Sequence, residues 1–254
     1  MLLTADIGNT NINLGVFKGK KLLKRFIIPT QKPGYAKQLS GIFKSYPIKK
    51  AIICSVVPTS TVKLQKAINQ FLNTQPVILG RDYIVPITNL YHDTQQVGQD
   101  RLVNAYAGIM LYGAPLVVID YGTAITFDVI SKRKEYLGGM IIPGLRISLE
   151  VLKNKTALLP RIQLEKPRAF IGKDTKNSML SGIVYGFACL TDNLTERIKA
   201  KIGKNSRVIA TGGNIAFIRP YCTKIDKVDP DLTLKGLYLL YQEYSQQIHS
   251  KKFT

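Results

Sequence analysis

Residues 5–17 read ADIGNTNINLGVF and pack Asp6, Gly8 and Thr10 into a tight turn between two apolar, strand-like runs. With a one-residue gap the pattern returns at residues 120–130, DYGTAITFDVI, setting Asp6 on Asp120, Gly8 on Gly122 and Thr10 on Thr123. The match continues as alternation, Ile12, Leu14 and Val16 against Ile125, Phe127 and Val129, the period of a strand with one buried face. A hairpin used twice implies a duplicated unit. One Asp-x-Gly-x-Thr alone is ordinary turn chemistry; two in register suggest a shared task. Glycine lets a ligand approach the turn, successive N–H groups and a Thr or Asn side chain can bond phosphate oxygens, and the Asp can hold a cation directly or through water. The pair reads as a phosphate clamp.

Outward from the first hairpin, short apolar runs alternate with longer amphipathic ones. Strand-like LLTAD, NINLGVF and KLLKRFII precede a helix near Tyr35 to Ser45, then strand-like KAIICSVV, a helix near Thr61 to Asn73, and PVIL. This is an α/β pattern. An irregular segment around Ile84 to Gln99 leads into DRLVNAYAGIMLYG, a helix ending at Gly113, and the second strand-rich unit follows. The expected domains are residues 1–113 and 114–254.

The 254 residues suffice for two domains with substantial cores, and 45% hydrophobic against 20% charged residues excludes a disordered chain. Thirty-six Lys and Arg against 16 Asp and Glu give a net charge of +20, which favours anionic partners without choosing among them. Cys54, Cys189 and Cys222 are far apart and form no CxxC or Cys/His spacing, so neither a disulfide framework nor a zinc site is expected. MLLTADIGN lacks a basic leader, and no apolar run approaches the roughly 20 residues of a membrane span. A cytoplasmic protein with no membrane partner is expected.

Two such hairpins in two related domains resemble the architecture shared by actin, sugar kinases and the heat-shock 70 chaperones. The resemblance implies an α/β fold of two actin-like (ribonuclease H-like) domains with the nucleotide cleft between them. A third glycine-rich segment, VIATGGN at residues 208–214, runs from a strand into Thr211, Gly212 and Gly213; it suits either a plain strand-to-helix turn or the third nucleotide contact that the resemblance implies. No Walker A competes: GKDT at residues 172–175 lacks the earlier Gly and has Asp174 after the Lys.

Between the hairpins, Gly98, Gln99, Asp100 and Arg101 stand where an irregular segment meets a helix. Asp there suits a helix cap. It equally suits phosphoryl transfer, which needs a carboxylate to take the acceptor hydroxyl's proton and cationic or N–H groups to stabilise transferred charge.

Together the motifs resemble the type III pantothenate kinases, which phosphorylate pantothenate with ATP in the first committed step of coenzyme A synthesis. They run nearly end to end: DIGNT, VGQDR at 97–101, DYGTAITFD at 120–128, GGMIIPGL at 138–145, ALLP at 157–160, IGKDTKNSMLSG at 171–182, TGGN at 211–214 and VDPDLTLKGL at 228–237. The resemblance implies an ATP loop over Asp6, Ile7, Gly8, Asn9, Thr10, Asn11, Ile12 and Asn13, with Thr123 also facing the nucleotide. It implies a pantothenate pocket of Tyr91, Gly98, Gln99, Asp100, Arg101 and Thr175, with Asp100 as general base. It further implies a monovalent cation, K⁺ or NH₄⁺, on Asp120, a contact from Asp6 to Mg²⁺, and a homodimer.

Thr175 suits either capping the apolar-periodic stretch that follows or offering its hydroxyl to substrate. Tyr91 is a common packing aromatic, and its seven-residue offset to Gly98 is what matches the family. Thr94 stands where the family pattern has proline, so the loop around His92 and Asp93 is expected to be ordered differently. His92 has no partner at ligand spacing and reads as a surface or packing residue. The positive charge keeps a second class open, an accessory transcription-regulatory or nucleic-acid-binding protein of the same fold. No helix-turn-helix or aromatic-basic reading surface accompanies it, so nucleic acid is not the expected partner. A third reading, an actin-like or chaperone ATPase, needs more mass for polymer or peptide contacts.

Overall fold

The computed structural model describes residues 1–31 and 34–251. In chain order its elements are β1 (Leu2–Ile7), β2 (Asn11–Lys18), β3 (Lys21–Pro29), α1 (Tyr35–Ser45), β4 (Lys50–Ser55), α2 (Pro58–Asn69), β5 (Val77–Ile78) and α3 (Gln99–Tyr112). There follow β6 (Leu116–Tyr121), β7 (Ala124–Ile130), β8 (Tyr136–Pro143), α4 (Leu145–Lys155), α5 (Thr175–Ile202), β9 (Arg207–Thr211), α6 (Ile215–Ile218), β10 (Lys227–Val228) and α7 (Leu232–Lys251). Chain contacts divide these into unit 1, Met1–Ile87, Asp93–Ala107 and Asp231–Thr254, and unit 2, Thr88–His92 and Gly108–Pro230.

In unit 1 the alternating Leu3, Ala5 and Ile7 of β1 and Ile12, Leu14 and Val16 of β2 are fully buried, which is the face that period-two patterning predicts. The five strands run in the order β3-β2-β1-β4-β5, with β1 antiparallel to β2 and parallel to β4. Leu39 and Ile42 of α1 and Leu64, Ala67 and Ile68 of α2 complete this core. Helix α2 begins at Pro58, three residues before the sequence expectation, because proline suits the first helical turn, where its missing N–H costs nothing.

Unit 2 repeats the plan. Its five strands run β8-β7-β6-β9-β10, again antiparallel through the hairpin and parallel beyond it. Ala5 pairs with Leu14 in the first hairpin and Ile119 with Phe127 in the second, the register that the sequence alignment sets. Even the irregularities match, since the β2/β3 ladder slips at Val16/Phe17 and the β7/β8 ladder at the aligned Val129/Ile130. Strands β6 and β7 pack on Leu145 and Leu149 of α4 and on Val184 and Ala188 of α5.

These units differ from a linear division at Gly113. Helix α7 belongs with unit 1, where Leu234, Leu237 and Leu240 are buried and Tyr238 stacks on Phe17 at 4.9 Å. A helix with so wide an apolar stripe must cover a core, and the one it covers belongs to the first sheet. The short Thr88–His92 segment belongs with unit 2 because Tyr136 N–H donates to Thr88 O and Leu90 N–H to Tyr136 O. Among the described residues no helix is long and apolar enough to cross a membrane.

Candidate active site

In unit 1 the first hairpin turns tightly, with Gly8 N–H donating to Asn11 O at 3.0 Å. Asn9, Thr10 and Asn11 are exposed at its tip. Thr30, just beyond β3, holds this turn from the side: its hydroxyl donates to Gly8 O at 2.7 Å and its N–H to Thr10 O at 3.0 Å. Asp6 sits near the end of β1, opposite Asn13 on one side and Cys54 on the other. Asn13 Nδ2 donates to Asp6 Oδ2 at 3.5 Å, while Arg25 donates to Asn13 Oδ1 at 3.3 Å and pairs with Asp231 at 3.5 Å. Ile7 and Ile12, which the sequence places in the loop, are fully buried core residues that hold its two stems.

Asp100 lies in the first turn of α3, one residue inside the helix. Its Oδ1 accepts from Arg101 N–H at 2.9 Å, so the carboxylate is folded back over its own turn. That fold needs Gly98: a Cβ there would lie 2.5 Å from Asp100 Oδ1. Burial lifts the Asp100 carboxyl above the ordinary aspartate range, against the opposing pull of the Arg101 N–H and guanidinium. Arg101 is itself only 6% exposed, a buried cation beside a half-buried acid. The Gln99 side-chain oxygen is buried and accepts no hydrogen bond, a cost that a bound donor would relieve. Burial first, and then the Asp6 and Asp100 carboxylates, hold the Cys54 thiol well above its ordinary value.

Unit 2 builds its turn differently. Asp120, on β6, pairs with Thr126 and Thr211. Gly212 follows with φ +97, and a Cβ there would lie 2.4 Å from Asp120 Oδ1 and 2.5 Å from Tyr121 N. Only glycine combines that backbone with that closeness. Thr123 is exposed in the turn. Asn214 closes the arrangement by donating its N–H to Tyr121 O at 3.0 Å and its Nδ2 to Gly122 O at 3.1 Å, with Arg146 Nε on its Oδ1 at 3.3 Å.

The remaining sequence candidates fall elsewhere in these units. Asp174, not Thr175, caps α5, accepting from Asn177 N–H at 2.8 Å. Thr175 is the first helical residue and is exposed. Tyr91 is in unit 2, its ring 6.4 Å from that of Tyr136 and against the bare Cα of Gly138. The loop that carries Thr94 is a short 3₁₀ turn, Thr94–Gln96, ordered by Asp93, whose carboxylate accepts from Gln95 N–H at 3.0 Å and Gln96 Nε2 at 3.1 Å. Sequence reading did not single out Thr30, Arg25 or Arg146. Nothing local marks them, because each matters through a partner distant in sequence.

A family profile described as type III pantothenate kinase matches residues 2–197. A curated relative of that name from Geotalea uraniireducens is 42% identical over 252 residues, spanning 95% of this chain and 98% of its own length. Another from Bacillus cytotoxicus is 37% identical over 260 residues, spanning 99% of each chain. Among solved structures, a Campylobacter jejuni protein described as a Baf family transcriptional activator superposes with a TM-score of 0.61 at 22% identity, covering 96% of this chain and 99% of its own. An activator of 2-hydroxyisocaproyl-CoA dehydratase from Clostridium difficile, with bound ADPNP, gives 0.55 at 13% identity, covering 98% and 97%. MreB5 of Spiroplasma citri, bound to AMPPNP, gives 0.51 at 12% identity, covering 98% of each. At such identities the structural likeness speaks for the fold alone, and that fold is the two-domain actin-like one.

Proposed function

This chain belongs to the type III pantothenate kinase family, and from that premise we propose how its residues divide the work. The reaction moves the ATP γ-phosphoryl group to the primary hydroxyl of pantothenate, giving 4'-phosphopantothenate and ADP at the entry to coenzyme A biosynthesis.

Asp100 is the general base. The reading rests on one observation, a half-buried carboxylate whose proton affinity is raised by desolvation and whose position is fixed by Arg101 N–H and by the absence of a side chain at Gly98. A base with raised affinity accepts a hydroxyl proton more readily. It takes that proton as the oxygen attacks the γ-phosphorus; the new O–P bond forms and the bond to the bridging β–γ oxygen breaks. Gln99 Oε1, buried without a partner, accepts from a hydroxyl or amide of pantothenate. Arg101 offers its positive charge to the anionic substrate, and the family resemblance adds Tyr91 and Thr175 as further pantothenate contacts.

The loop Asp6–Asn13 and Thr123 hold the ATP phosphates. Among the described residues no group of three or more His, Cys, Asp or Glu converges as a metal cage, so Mg²⁺ would sit on Asp6, substrate phosphates and water, its usual manner. Bound there, it neutralises charge on the transferred phosphoryl group. The monovalent cation, K⁺ or NH₄⁺, is assigned to the Asp120 carboxylate, which the close approach of Gly212 holds in place.

A homodimer is part of this reading, and exposed Ile141, Leu158, Phe170 and Ile171 in unit 2 are apolar side chains that a second copy could cover. Three free cysteines support a cytoplasmic setting. The test is formation of 4'-phosphopantothenate from ATP and pantothenate by purified protein, read by mass spectrometry, with K⁺ present or replaced by Na⁺. Product that depends on K⁺ is expected. No product from demonstrably folded protein refutes the assignment.

A further inference from the structure

Thr30 lies outside the hairpin that the sequence marks, yet it is 4% exposed and makes two bonds to the tip of that hairpin. Its hydroxyl takes the Gly8 carbonyl and its N–H takes the Thr10 carbonyl. Its own carbonyl is held in turn by the hydroxyl of Tyr35, a buried residue at the start of α1. Thr30 is therefore anchored from behind and grips the loop in front.

A trans peptide sets its C=O and the N–H of the next residue on opposite sides of the chain. With the Gly8 and Thr10 carbonyls turned toward Thr30, the N–H groups of Asn9 and Asn11 are turned away from it. Both residues are exposed, so these donors face the side a ligand can reach. Two N–H groups presented on one side in this way can donate together to an anionic oxygen. Without the Thr30 hydroxyl the Gly8 peptide has one restraint fewer against rotating and offering a carbonyl oxygen where a phosphate oxygen would lie.

We propose that Thr30 is a positioning residue for ATP, aiming the Asn9 and Asn11 N–H groups of the first hairpin at the phosphates, with Tyr35 holding Thr30 in place. The inference rests on the reading of Asp6–Asn13 as the ATP loop, and the experiment separates the two. Steady-state constants for ATP and for pantothenate are measured on Thr30→Val, Thr30→Ser, Tyr35→Phe and Asp6→Asn, each checked for folding by thermal unfolding. Thr30→Val keeps the shape and the N–H and loses only the hydroxyl. It is expected to raise KM for ATP roughly three- to tenfold, the worth of one hydrogen bond, while KM for pantothenate stays unchanged. Thr30→Ser is expected to restore the ATP value, and Tyr35→Phe to shift it in the same direction as valine by less. A merely structural role would raise both KM values together or only lower the unfolding temperature, and either pattern overturns the proposal, as does an unchanged KM for ATP. If Thr30→Val fails to fold, Tyr35→Phe carries the same decision through the same two constants. Should Asp6→Asn leave both kcat and KM for ATP intact, the loop reading itself falls; should it cripple the enzyme while Thr30→Val and Tyr35→Phe are silent, only the role of Thr30 falls.

Discussion

Replacing Gly98 by alanine separates the position of the Asp100 carboxylate from the stability of the fold. The new Cβ would lie 2.5 Å from Asp100 Oδ1, where ordinary contact begins at 3.4 Å, and the nearest atom outside Asp100 is Val56 Cγ1 at a comfortable 3.6 Å. The carboxylate must therefore retreat by about 0.9 Å, and being the free end of a short side chain it can. The backbone at Gly98 is not in the left-handed region, so alanine adds no strain, and stiffening the unfolded chain returns about 0.4–1 kcal/mol. Catalysis is less forgiving, since misplacing a reacting group by about 1 Å costs on the order of 10²-fold. The assay is kcat at saturating ATP and pantothenate beside the midpoint of thermal unfolding. A kcat lowered on the order of 10²-fold with an unfolding temperature near that of the unmodified protein is expected. A kcat within about twofold of the original would show that the carboxylate's position does not limit the chemistry, and the reasoning from Gly98 to Asp100 would fail.

Three further outcomes are expected. Because burial raises the folded-state pKa of Asp100 above its unfolded value, the folded protein favours the protonated acid; stability from this group is full below the ordinary aspartate range and is lost as pH rises through the raised value. Asp100→Asn is thus expected to unfold at a higher temperature than the unmodified protein at neutral pH, with the gap closing in acid; a constant gap in thermal scans across pH contradicts this. Asp120→Ala is expected to abolish the rate difference between K⁺ and Na⁺ while the fold persists, and an unchanged K⁺ response in initial-rate measurements removes Asp120 from the cation site. Gly236→Ala meets Val103 O at 2.9 Å and Ala107 Cβ at 3.0 Å, rigid parts of α3 that cannot step aside. A loss of about 1–3 kcal/mol in denaturant unfolding is expected, where Gly98→Ala costs little.

Much of the fold was legible because it is local and repeated. Alternation in residues 12–16 and 125–129 fixed strand faces and register, and the one-residue gap between the two motifs corresponds to the shorter turn of the second hairpin. The placement of α7 was not legible, since an amphipathic stripe announces that a helix covers a core but not which core. The helix cap at Asp174 was hidden for a related reason: Asp174 and Thr175 are both good capping residues, and the choice depends on where the backbone enters the helix. For the site, Asp6, Asp100 and Asp120 stood out through their turns and spacing. Thr30 and Arg25 did not, because a threonine after a strand and an arginine within one look ordinary until β3 pairs with β2 and carries them beside Gly8 and Asn13.

In the proposed mechanism Asp100 accepts the pantothenate hydroxyl proton during transfer from ATP. The most direct test of this step is the rate of 4'-phosphopantothenate formation by Asp100→Asn at saturating substrates, with ATP affinity measured separately by equilibrium binding. Removal of the proton acceptor is expected to lower the rate about 10²- to 10⁴-fold while ATP binds as before. Product formed at close to the unmodified rate, with ATP binding equally intact, would contradict the claim and leave the hydroxyl to be deprotonated by another group.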